Sequence, residues 1–240
     1  MTLIYQEIAT DLRKRIDHDE FQNMKLPDER TLSTKYQVSR SSIKRALNEL
    51  ADKGIIFKKR GSGTFINPLY LKNATIFSYT GSNLGVTDSF QQNGEHPDIK
   101  VLRFEVTRPS ADLQQDLFLK PDDFVYEIIR LRALKQQPFM IEKSYIPIKI
   151  MPELSEDIVA HSIFNYMEKE RQQRVTKAFL SLYAAPSNEH DQAELKLKPT
   201  EPVEVMEGIF FLADGTPFEF SKMHLHYQYL KYNTFVALDD

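Results

Sequence analysis

The hydrophobic positions of the first fifty residues recur with the 3.6-residue period of amphipathic helices. One apolar stripe follows the spacing i, i+3, i+4, i+7 and i+11, and it consists of Tyr5, Ile8, Ala9, Leu12 and Ile16. This stripe predicts a first helix that ends near His18. A loop rich in polar residues follows it, so the next apolar stripe belongs to a separate element.

Two shorter helices are predicted after this loop. Pro27 stops any continuation of the first helix, and Asp28 can cap the second. Leu32 and Tyr36 form the buried edge of the second helix. Ser39 can cap a third helix, whose apolar stripe consists of Ile43, Ala46, Leu47, Leu50 and Ala51. About three residues separate these two helices, which is typical of a helix-turn-helix, whose second helix enters the DNA major groove.

A basic hairpin is predicted after the third helix. Gly54 ends that helix, and segments 55–60 and 64–66 are predicted strands on either side of Gly61-Ser62-Gly63. Such a wing can lie along phosphates, with the backbone of Gly63 in the minor groove. The same glycines can instead serve turn geometry alone, and both interpretations remain open at this point.

Charge separates the chain into two different parts. The 240 residues carry a net charge of −3, but residues 1–67 carry +4 and the remainder carries −7. A basic module on an acidic body suggests a polyanionic partner, although a solvated basic face without a ligand is the commoner outcome. The absence of cysteine excludes disulfides, thiolate nucleophiles and cysteine zinc sites. No apolar run reaches the length of a membrane span and the N-terminus is polar, so we expect a cytoplasmic protein.

Three motifs in residues 2–67 resemble the winged helix-turn-helix of the GntR-type bacterial transcription factors. They are LPDERTL (26–32), VSRSSIKRAL (38–47) and GSGTF (61–65). The resemblance implies that operator DNA is contacted by Arg30, Ser39, Arg40, Lys44 and Gly63, and Ser41 is also placed to reach phosphate. Lys44 stands where the family usually has arginine. Lysine cannot make the planar, two-pronged contact to guanine that arginine makes, so base choice there can differ.

After Pro68 the hydrophobic pattern changes to the two-residue alternation of strands. Strands are predicted at 101–106, 125–134, 139–146, 175–184, 202–212 and 218–225, and helices at 113–119, 162–170 and 187–195. The last two strands are joined through Asp214-Gly215, a strong hairpin signal. Strand hairpins that are interrupted by single helices predict an α+β domain with a mainly antiparallel sheet.

The first long hairpin of this domain brings charged residues to one face. If a three-residue turn sets Leu134 opposite Pro138, then Arg130 opposes Glu142. A shift of two residues sets Arg132 opposite Glu142 instead, and either register places both arginines and the glutamate on one face. Two arginines suit a phosphate or carboxylate and a glutamate suits hydroxyls, which indicates a sugar phosphate or similar anion. The alternative is a surface ion pair without a ligand.

Residues from about 82 to 235 are similar to the UTRA effector domain of the HutC subfamily of GntR regulators. The matching pieces include RLRALKQQP (130–138), EKSYIP (142–147) and DGTPFEFS (214–221). The resemblance implies a chorismate-lyase-like fold, homodimers, and an effector such as a sugar phosphate or an amino-acid derivative. It assigns the anionic end of the effector to Thr87, Arg130, Arg132 and Ser162, and the polar body to Glu142 and Glu219. The family's Tyr-Arg-x-Asp motif is here Leu225-His226-Tyr227-Gln228.

These observations predict a two-domain α+β protein that is a ligand-responsive transcriptional repressor of a carbohydrate-utilisation operon. The expected domains are a winged helix-turn-helix over 1–67, a linker over 68–81, and an effector-binding and dimerisation domain over 82–240. A twofold dimer would read two half-sites of a palindromic operator. We expect no cofactor and no enzymatic activity, since neither a nucleophile–base set nor a phosphate loop is present.

Three alternatives remain for the function, and one for a pair of histidines. The effector can be an amino-acid derivative, the head can be a winged-helix interaction module that does not touch DNA, or the larger domain can be a lyase-like enzyme. His224 and His226 lie two apart on a predicted strand, as in some metal sites. Without a third ligand in the sequence pattern, a structural or effector-facing role is the preferred interpretation.

Overall fold

The computed structural model describes residues 3–72, 77–78 and 96–231. These residues fall into two compact units. The first contains the described residues of Met1–Thr75 together with Lys231, and the second contains those of Ile76–Leu230. None of the described helices is both long enough and apolar enough to span a membrane.

The first unit contains the three predicted helices, α1 (Ile4–Asp17), α2 (Glu29–Tyr36) and α3 (Arg40–Asp52), with a short 3₁₀ turn at Gln22–Met24. Both predicted caps are confirmed. The Asp28 carboxylate accepts the backbone N–H of Thr31 at 2.7 Å, and the Ser39 hydroxyl accepts that of Ser42 at 3.2 Å. The predicted apolar stripes pack into one core, which includes Leu12, Ile16, Leu32, Ile43, Leu47 and Leu50.

The predicted wing is also confirmed. Strands β1 (Ile56–Lys59) and β2 (Gly63–Ile66) pair antiparallel and join the helical core through Ile56 and Ile66. Gly63 has a φ of +114°, which a side chain would disfavour. The Lys58 ammonium donates to Asn48 Oδ1 at 2.8 Å, so the wing is tied directly to the exposed side of α3.

A short helix α4 (Pro68–Lys72) follows the wing and stays on the first unit. The Tyr70 hydroxyl donates to the carboxylate of Asp17 at 2.8 Å and accepts from Arg13 Nε at 3.1 Å. Burial raises the pKa of Tyr70 to about 12, so the hydroxyl remains a donor throughout the physiological range. The start of the predicted linker therefore packs on α1 as part of the head.

The second unit is built on one sheet of six long strands. They are β4 (Asp98–Thr107), β5 (Val125–Leu134), β6 (Gln137–Pro147), β7 (Val175–Pro186), β8 (Pro202–Leu212) and β9 (Pro217–His226). Their order is β4-β5-β6-β9-β8-β7, and every pairing is antiparallel. A separate pair joins β3 (Phe77–Ser78) to β10 (Leu230–Lys231). The predicted α+β class with an antiparallel sheet is confirmed.

Helices cover both faces of this sheet. They are α5 (Ala111–Asp116), α6 (Glu156–Val159), α7 (Ile163–Glu170) and α8 (Glu189–Leu195). Helices α6 and α7 pack on the face that carries Tyr126, Ile128 and Ile146. Leu113 of α5 and Leu195 of α8 pack on the opposite face. The even-numbered residues of β5 therefore point towards α6 and α7.

Two helices begin at other residues than predicted, because a polar residue caps each of them. The helix predicted at 113–119 runs from Ala111 to Asp116, with Ser110 accepting the N–H of Leu113 at 3.3 Å. The helix predicted at 187–195 starts at Glu189, with Asn188 accepting the N–H of Asp191 at 2.9 Å. The position of the capping residue therefore determines where each helix begins, which the apolar stripe alone does not.

The predicted turn of the β5–β6 hairpin is wrong, and the charged residues pair as in the first of the two registers that the sequence left open. A two-residue turn replaces the predicted three-residue one, and Leu134 faces Gln137 rather than Pro138. Lys135 and Gln136 both have positive φ, 50° and 66°, as a type I′ turn requires. A bulge then adds one residue to β6, and Arg130 therefore lies opposite Glu142 rather than Arg132 opposite Glu142.

Candidate DNA interface and effector site

The exposed side of α3 carries the residues that were predicted to read DNA. Arg40, Ser41 and Lys44 are exposed, whereas Ile43 and Leu47 on the opposite side are fully buried. The Ser39 hydroxyl already satisfies a backbone N–H of the first turn of α3. The side chains of Arg40, Ser41 and Lys44 are therefore not needed to cap the helix. The first two turns of α3 can therefore present a guanidinium, a hydroxyl and an ammonium to a groove.

The other three predicted DNA contacts also lie on the surface of the first unit. Arg30 is exposed on α2, Gly63 is exposed in the wing, and Ser39 is exposed at the start of α3. The Ser39 hydroxyl lies 2.8 Å from the Ser41 hydroxyl, in addition to its capping bond. Its geometry is therefore set by the cap, and its contact with DNA stays a prediction like that of the others.

We expect Arg40→Ala to weaken operator binding by about 1–3 kcal/mol, which corresponds to roughly 5- to 150-fold, because one base-edge or phosphate contact is lost. The affinity would be measured on a duplex that the wild-type protein enriches from random-sequence DNA. Arg174→Ala is the matched control, because Arg174 is an exposed arginine of the second unit that pairs with Glu168. Equal affinities of the two variants would remove Arg40 from the reading face.

A buried cluster of charges lies on the sheet face beneath α6 and α7. Glu142 Oε2 is 2.6 Å from Arg130 Nη2 and 2.9 Å from Arg132 Nη2, and it also accepts Arg132 Nε at 3.3 Å. Both arginines are only 3% exposed and Glu142 is 4% exposed. The alternative of a surface ion pair is therefore wrong, since the three groups have been removed from water. Such burial is costly, and only close pairing offsets it.

Backbone carbonyls between α6 and α7 hold Arg130 in place. Arg130 Nη1 donates to the carbonyl oxygens of Val159 and His161 at 3.3 and 3.2 Å. Ser162, the next residue, caps α7 by accepting the N–H of Asn165 at 3.3 Å. The structure thus places Ser162 one residue from a carbonyl partner of Arg130. Thr87, the remaining predicted contact of the anionic end, lies outside the described residues.

Glu219 on β9 completes the cluster. Its side chain is buried, and Oε2 has no hydrogen-bond partner among the described residues. Burial and the negative charge of Glu142 raise the pKa of Glu219 to about 8, against the opposing effect of Arg130. Burial opposes ionisation of Glu142 too, but Arg130 and Arg132 hold the pKa of Glu142 below its ordinary value. At neutral pH the four groups therefore carry a net charge of about +1.

Two family models match the chain, and together they cover both units. Residues 4–66 match the model described as bacterial regulatory proteins, gntR family, and residues 92–231 match the UTRA domain. The chain is a member of the gntR family of transcriptional regulators and carries a UTRA domain. The predicted family, its DNA-binding regulatory function and its two-domain architecture are thereby confirmed.

Relatives match over nearly the whole length of this gntR-family regulator. It is 31% identical to the HTH-type transcriptional regulator GmuR of Bacillus subtilis, over 92% of this chain and 94% of GmuR. It is 28% identical to the mannosyl-D-glycerate transport/metabolism system repressor MngR of Escherichia coli, over 91% and 90%. The crystal structure of the possible regulator YydK from Bacillus subtilis superposes with a TM-score of 0.78 at 29% identity, covering 98% of this chain and 100% of YydK.

Regulators of this family bind operator DNA and small-molecule effectors, so two surfaces need a chemical account. The exposed basic side of α3 and the wing are the candidate surface for DNA on the gntR head. The buried cluster is the candidate site for an effector in the UTRA domain. The structure brings together four of the predicted effector residues, Arg130, Arg132, Glu142 and Glu219. Ser162 directly follows His161, whose carbonyl oxygen accepts a hydrogen bond from Arg130.

Two buried serines of the UTRA domain were missed by sequence reasoning. Ser144 on β6 and Ser221 on β9 face each other, both are fully buried, and neither hydroxyl has a partner among the described residues. Gly208 on β8 pairs with Ser221, so a row of small residues separates Arg130–Glu142 from Glu219. The signal was present in the sequence: each serine follows a predicted site glutamate by two positions, which strand alternation places on the same face.

The two histidines lie on strand β9 but not in the charged cluster. His224 Nδ1 is 2.8 Å from Asp191 Oδ1, a buried carboxylate of α8 on the opposite sheet face. His226 stacks on Tyr227 with ring centroids 5.1 Å apart, and burial lowers its pKa. Within residues 3–72 and 96–231, no group of three His, Asp or Glu side chains is arranged to hold a metal. These contacts favour the structural interpretation of His224.

Proposed function

We propose that this regulator is a homodimeric repressor of a carbohydrate-utilisation operon, released from a palindromic operator by an anionic sugar derivative such as a sugar phosphate. In this proposal residues 1–67 read DNA, residues 68–81 link the two domains from α4 onward, which itself packs on the head, and residues 82–240 bind the effector and dimerise. The effector contacts Arg130, Arg132, Glu142 and Glu219, with Ser162 and Thr87 at its anionic end. Release requires that the effector favours one arrangement of the heads over the other.

The observation that carries this proposal is the buried cluster with unsatisfied polar atoms. Arg130 Nε, Glu219 Oε2 and the hydroxyls of Ser144 and Ser221 are all buried without hydrogen-bond partners among the described residues. Buried polar groups are normally satisfied, so a set of four on one sheet face supports a site for a polar ligand. A net charge of about +1 suits one anionic group, and the protonated Glu219 can donate to a hydroxyl.

The relatives support a sugar-type effector. The name of MngR assigns that protein to a mannosyl-D-glycerate system. Mannosyl-D-glycerate consists of a sugar attached to a carboxylate. The same two chemical parts, hydroxyls and one anion, match the donors and acceptors of the cluster described above. An amino-acid derivative, the alternative effector, would bring an ammonium group close to two buried guanidinium groups, which disfavours it.

The edge of the UTRA sheet supports the homodimer. In the described sheet β7 has one neighbouring strand, and it exposes Phe179, Leu182 and Tyr183, with Phe179 71% exposed. Long apolar edge strands are normally covered, because open edges associate with other chains. Sedimentation equilibrium should give twice the 28.0 kDa mass of one chain. A monomer mass at the concentration that saturates DNA would contradict the dimer.

A thermal-unfolding panel tests the effector class. The probes are glucose 6-phosphate, glucosamine 6-phosphate and mannose 6-phosphate, with the unphosphorylated sugars and free amino acids as comparisons. A ligand present at about 100 times its Kd should add about 2.7 kcal/mol of stability and raise Tm. Each hit would then be tested for release of the selected duplex. If only amino acids raise Tm, the alternative effector class replaces the proposed one, and a flat panel contradicts the sugar phosphate.

Arg132→Ala should abolish the Tm shift of any hit and the release of DNA, while operator affinity without ligand stays within about twofold of the wild-type value. The reason is that Arg132 supplies part of the positive charge of the cluster but lies outside the head. Arg171→Ala is the control, because Arg171 binds Glu153 on the surface at 2.6 Å. An Arg132→Ala protein that still releases DNA normally would refute the pocket assignment.

A further inference from the structure

Residues just before α2 add a third, very short strand to the wing. Lys25 forms an isolated antiparallel bridge with Phe65 of β2, and the N–H of Leu26 donates to the carbonyl of Thr64 at 3.0 Å. The main chain at Lys25 is therefore fixed to the wing, although almost forty residues separate the two along the chain. Lys25 belongs to neither predicted DNA-reading element.

The side chain of Lys25 extends across β2 towards Gly63. A Cβ atom added to Gly63 would lie 2.9 Å from Lys25 Cε and 3.5 Å from Nζ. The ammonium also lies 5.5 Å from the centroid of the Phe65 ring, within the range of a cation–π contact. No carboxylate of the described residues forms an ion pair with it, and the residue is exposed. The ammonium is thus positioned beside the exposed backbone of Gly63 and remains available to an anion.

A second lysine flanks Gly63 from the other side. Lys59 of β1 is the direct partner of Gly63 in the wing register, so the two residues share a face of the ribbon. Phe57 and Phe65, the next pair on the same face, stack with ring centroids 5.7 Å apart. Gly63 is therefore a gap without a side chain between two lysines that come from different segments of the chain.

We propose that Lys25 is a DNA-contacting residue, which together with Lys59 binds the phosphates on the two sides of the minor groove that the wing enters. The minor groove is about 6 Å wide and is lined by phosphates along both edges, so cations on either side of a bare backbone match it. The Phe65 ring holds the ammonium near its bound position, which reduces the side-chain entropy that binding would cost. This inference rests on the proposed operator binding by the head.

The test measures operator affinity of the full-length protein between 50 and 300 mM salt. The probe is the duplex that the wild-type protein enriches from random-sequence DNA. Lys25→Met removes the charge but keeps an unbranched stem over Phe65, and Lys25→Arg keeps the charge. Lys14→Met is the matched control, because Lys14 is an exposed lysine in the last turn of α1. Thermal unfolding checks that every variant is folded.

Loss of one phosphate contact should make the slope of log K against log salt shallower by about 0.9 for each head. Extrapolated to 1 M salt, the same slope predicts about eightfold weaker binding per head at 0.1 M salt. We expect both effects in Lys25→Met and neither in Lys25→Arg or Lys14→Met. A slope in Lys25→Met equal to that of the wild type would overturn the inference and leave operator binding intact. Failure of the wild-type protein to enrich any duplex would instead contradict the proposed function.

Discussion

Replacing Glu142 by glutamine should lower the free energy of unfolding of the UTRA domain by about 3–5 kcal/mol. Glu142 Oε2 accepts N–H groups from Arg130 and Arg132, and all three side chains are buried. Glutamine keeps the size of the side chain but removes its charge, so two guanidinium groups would stay buried without their carboxylate. Urea denaturation at pH 7, followed through the transition of the UTRA domain, measures the loss.

Glu153→Gln is the matched control for this substitution. Glu153 binds Arg171 with both carboxylate oxygens, at 2.6 and 2.8 Å, but its side chain is 38% exposed. An exposed pair contributes about 0–1 kcal/mol, because water and salt screen it. The difference between the two variants therefore isolates the effect of burial. If Glu142→Gln costs no more than Glu153→Gln, the guanidinium groups are hydrated in the free protein and the buried cluster is wrong.

Replacing Glu219 by glutamine should make the UTRA domain more stable than the wild type at high pH. The folded-state pKa of Glu219 is about 8, above the ordinary value of 4.5, because the group is buried and faces Glu142. Between these two pH values the folded protein holds a proton that the unfolded chain has lost, so stability declines as pH rises through this range. Glutamine does not titrate, and the variant escapes this decline.

The size of this effect follows from the width of the pH range. At 1.36 kcal/mol for each pKa unit, the stability of Glu219→Gln relative to wild type should rise by about 4 kcal/mol between pH 5 and pH 9. Urea denaturation of both proteins at several pH values measures it. Glu127→Gln is the control, because burial opposes ionisation of Glu127 but a hydrogen bond from Tyr145 and the charge of Lys143 lower its pKa. Glu127 is therefore ionised in both the folded and the unfolded state above pH 5, and the stability of this variant relative to wild type should stay constant between pH 5 and pH 9. A constant difference between Glu219→Gln and wild type would show that Glu219 is ionised in the folded state.

The effector-bound form should hold the proton on Glu219 up to a higher pH than the free regulator does. An anionic group that binds next to Arg130 and Arg132 brings a further negative charge to the cluster, which favours the neutral form of this carboxyl. Effector affinity should accordingly fall at pH values above about 8, where Glu219 ionises in the free protein. The proposed site thus connects ligand binding with the same titration that the stability measurement detects.

Sequence reasoning succeeded where neighbouring residues contain the information. The caps Asp28 and Ser39, the apolar stripes of α1 and α3, and the hairpin at Asp214-Gly215 depend on residues a few positions apart. The opposition of Arg130 and Glu142 also follows from strand alternation, once a register is chosen. The predicted three-residue turn was wrong. Lys135 and Gln136 adopt the positive φ of a two-residue turn, although neither is the Gly or Asn that usually marks such a turn in a sequence.

The amino-acid sequence by itself determined the family, the order of helices and strands, and the side chains available to DNA and effector. Only the tertiary structure decided that Arg130, Arg132 and Glu142 are buried, that Ser144 faces Ser221, and that Lys25 lies beside Gly63. Local periodicity shows which face of an element is apolar, but it contains no information on which distant element covers that face. Burial and long-range neighbours arise when the elements pack, and these two properties set the charge and the unsatisfied donors of the proposed sites.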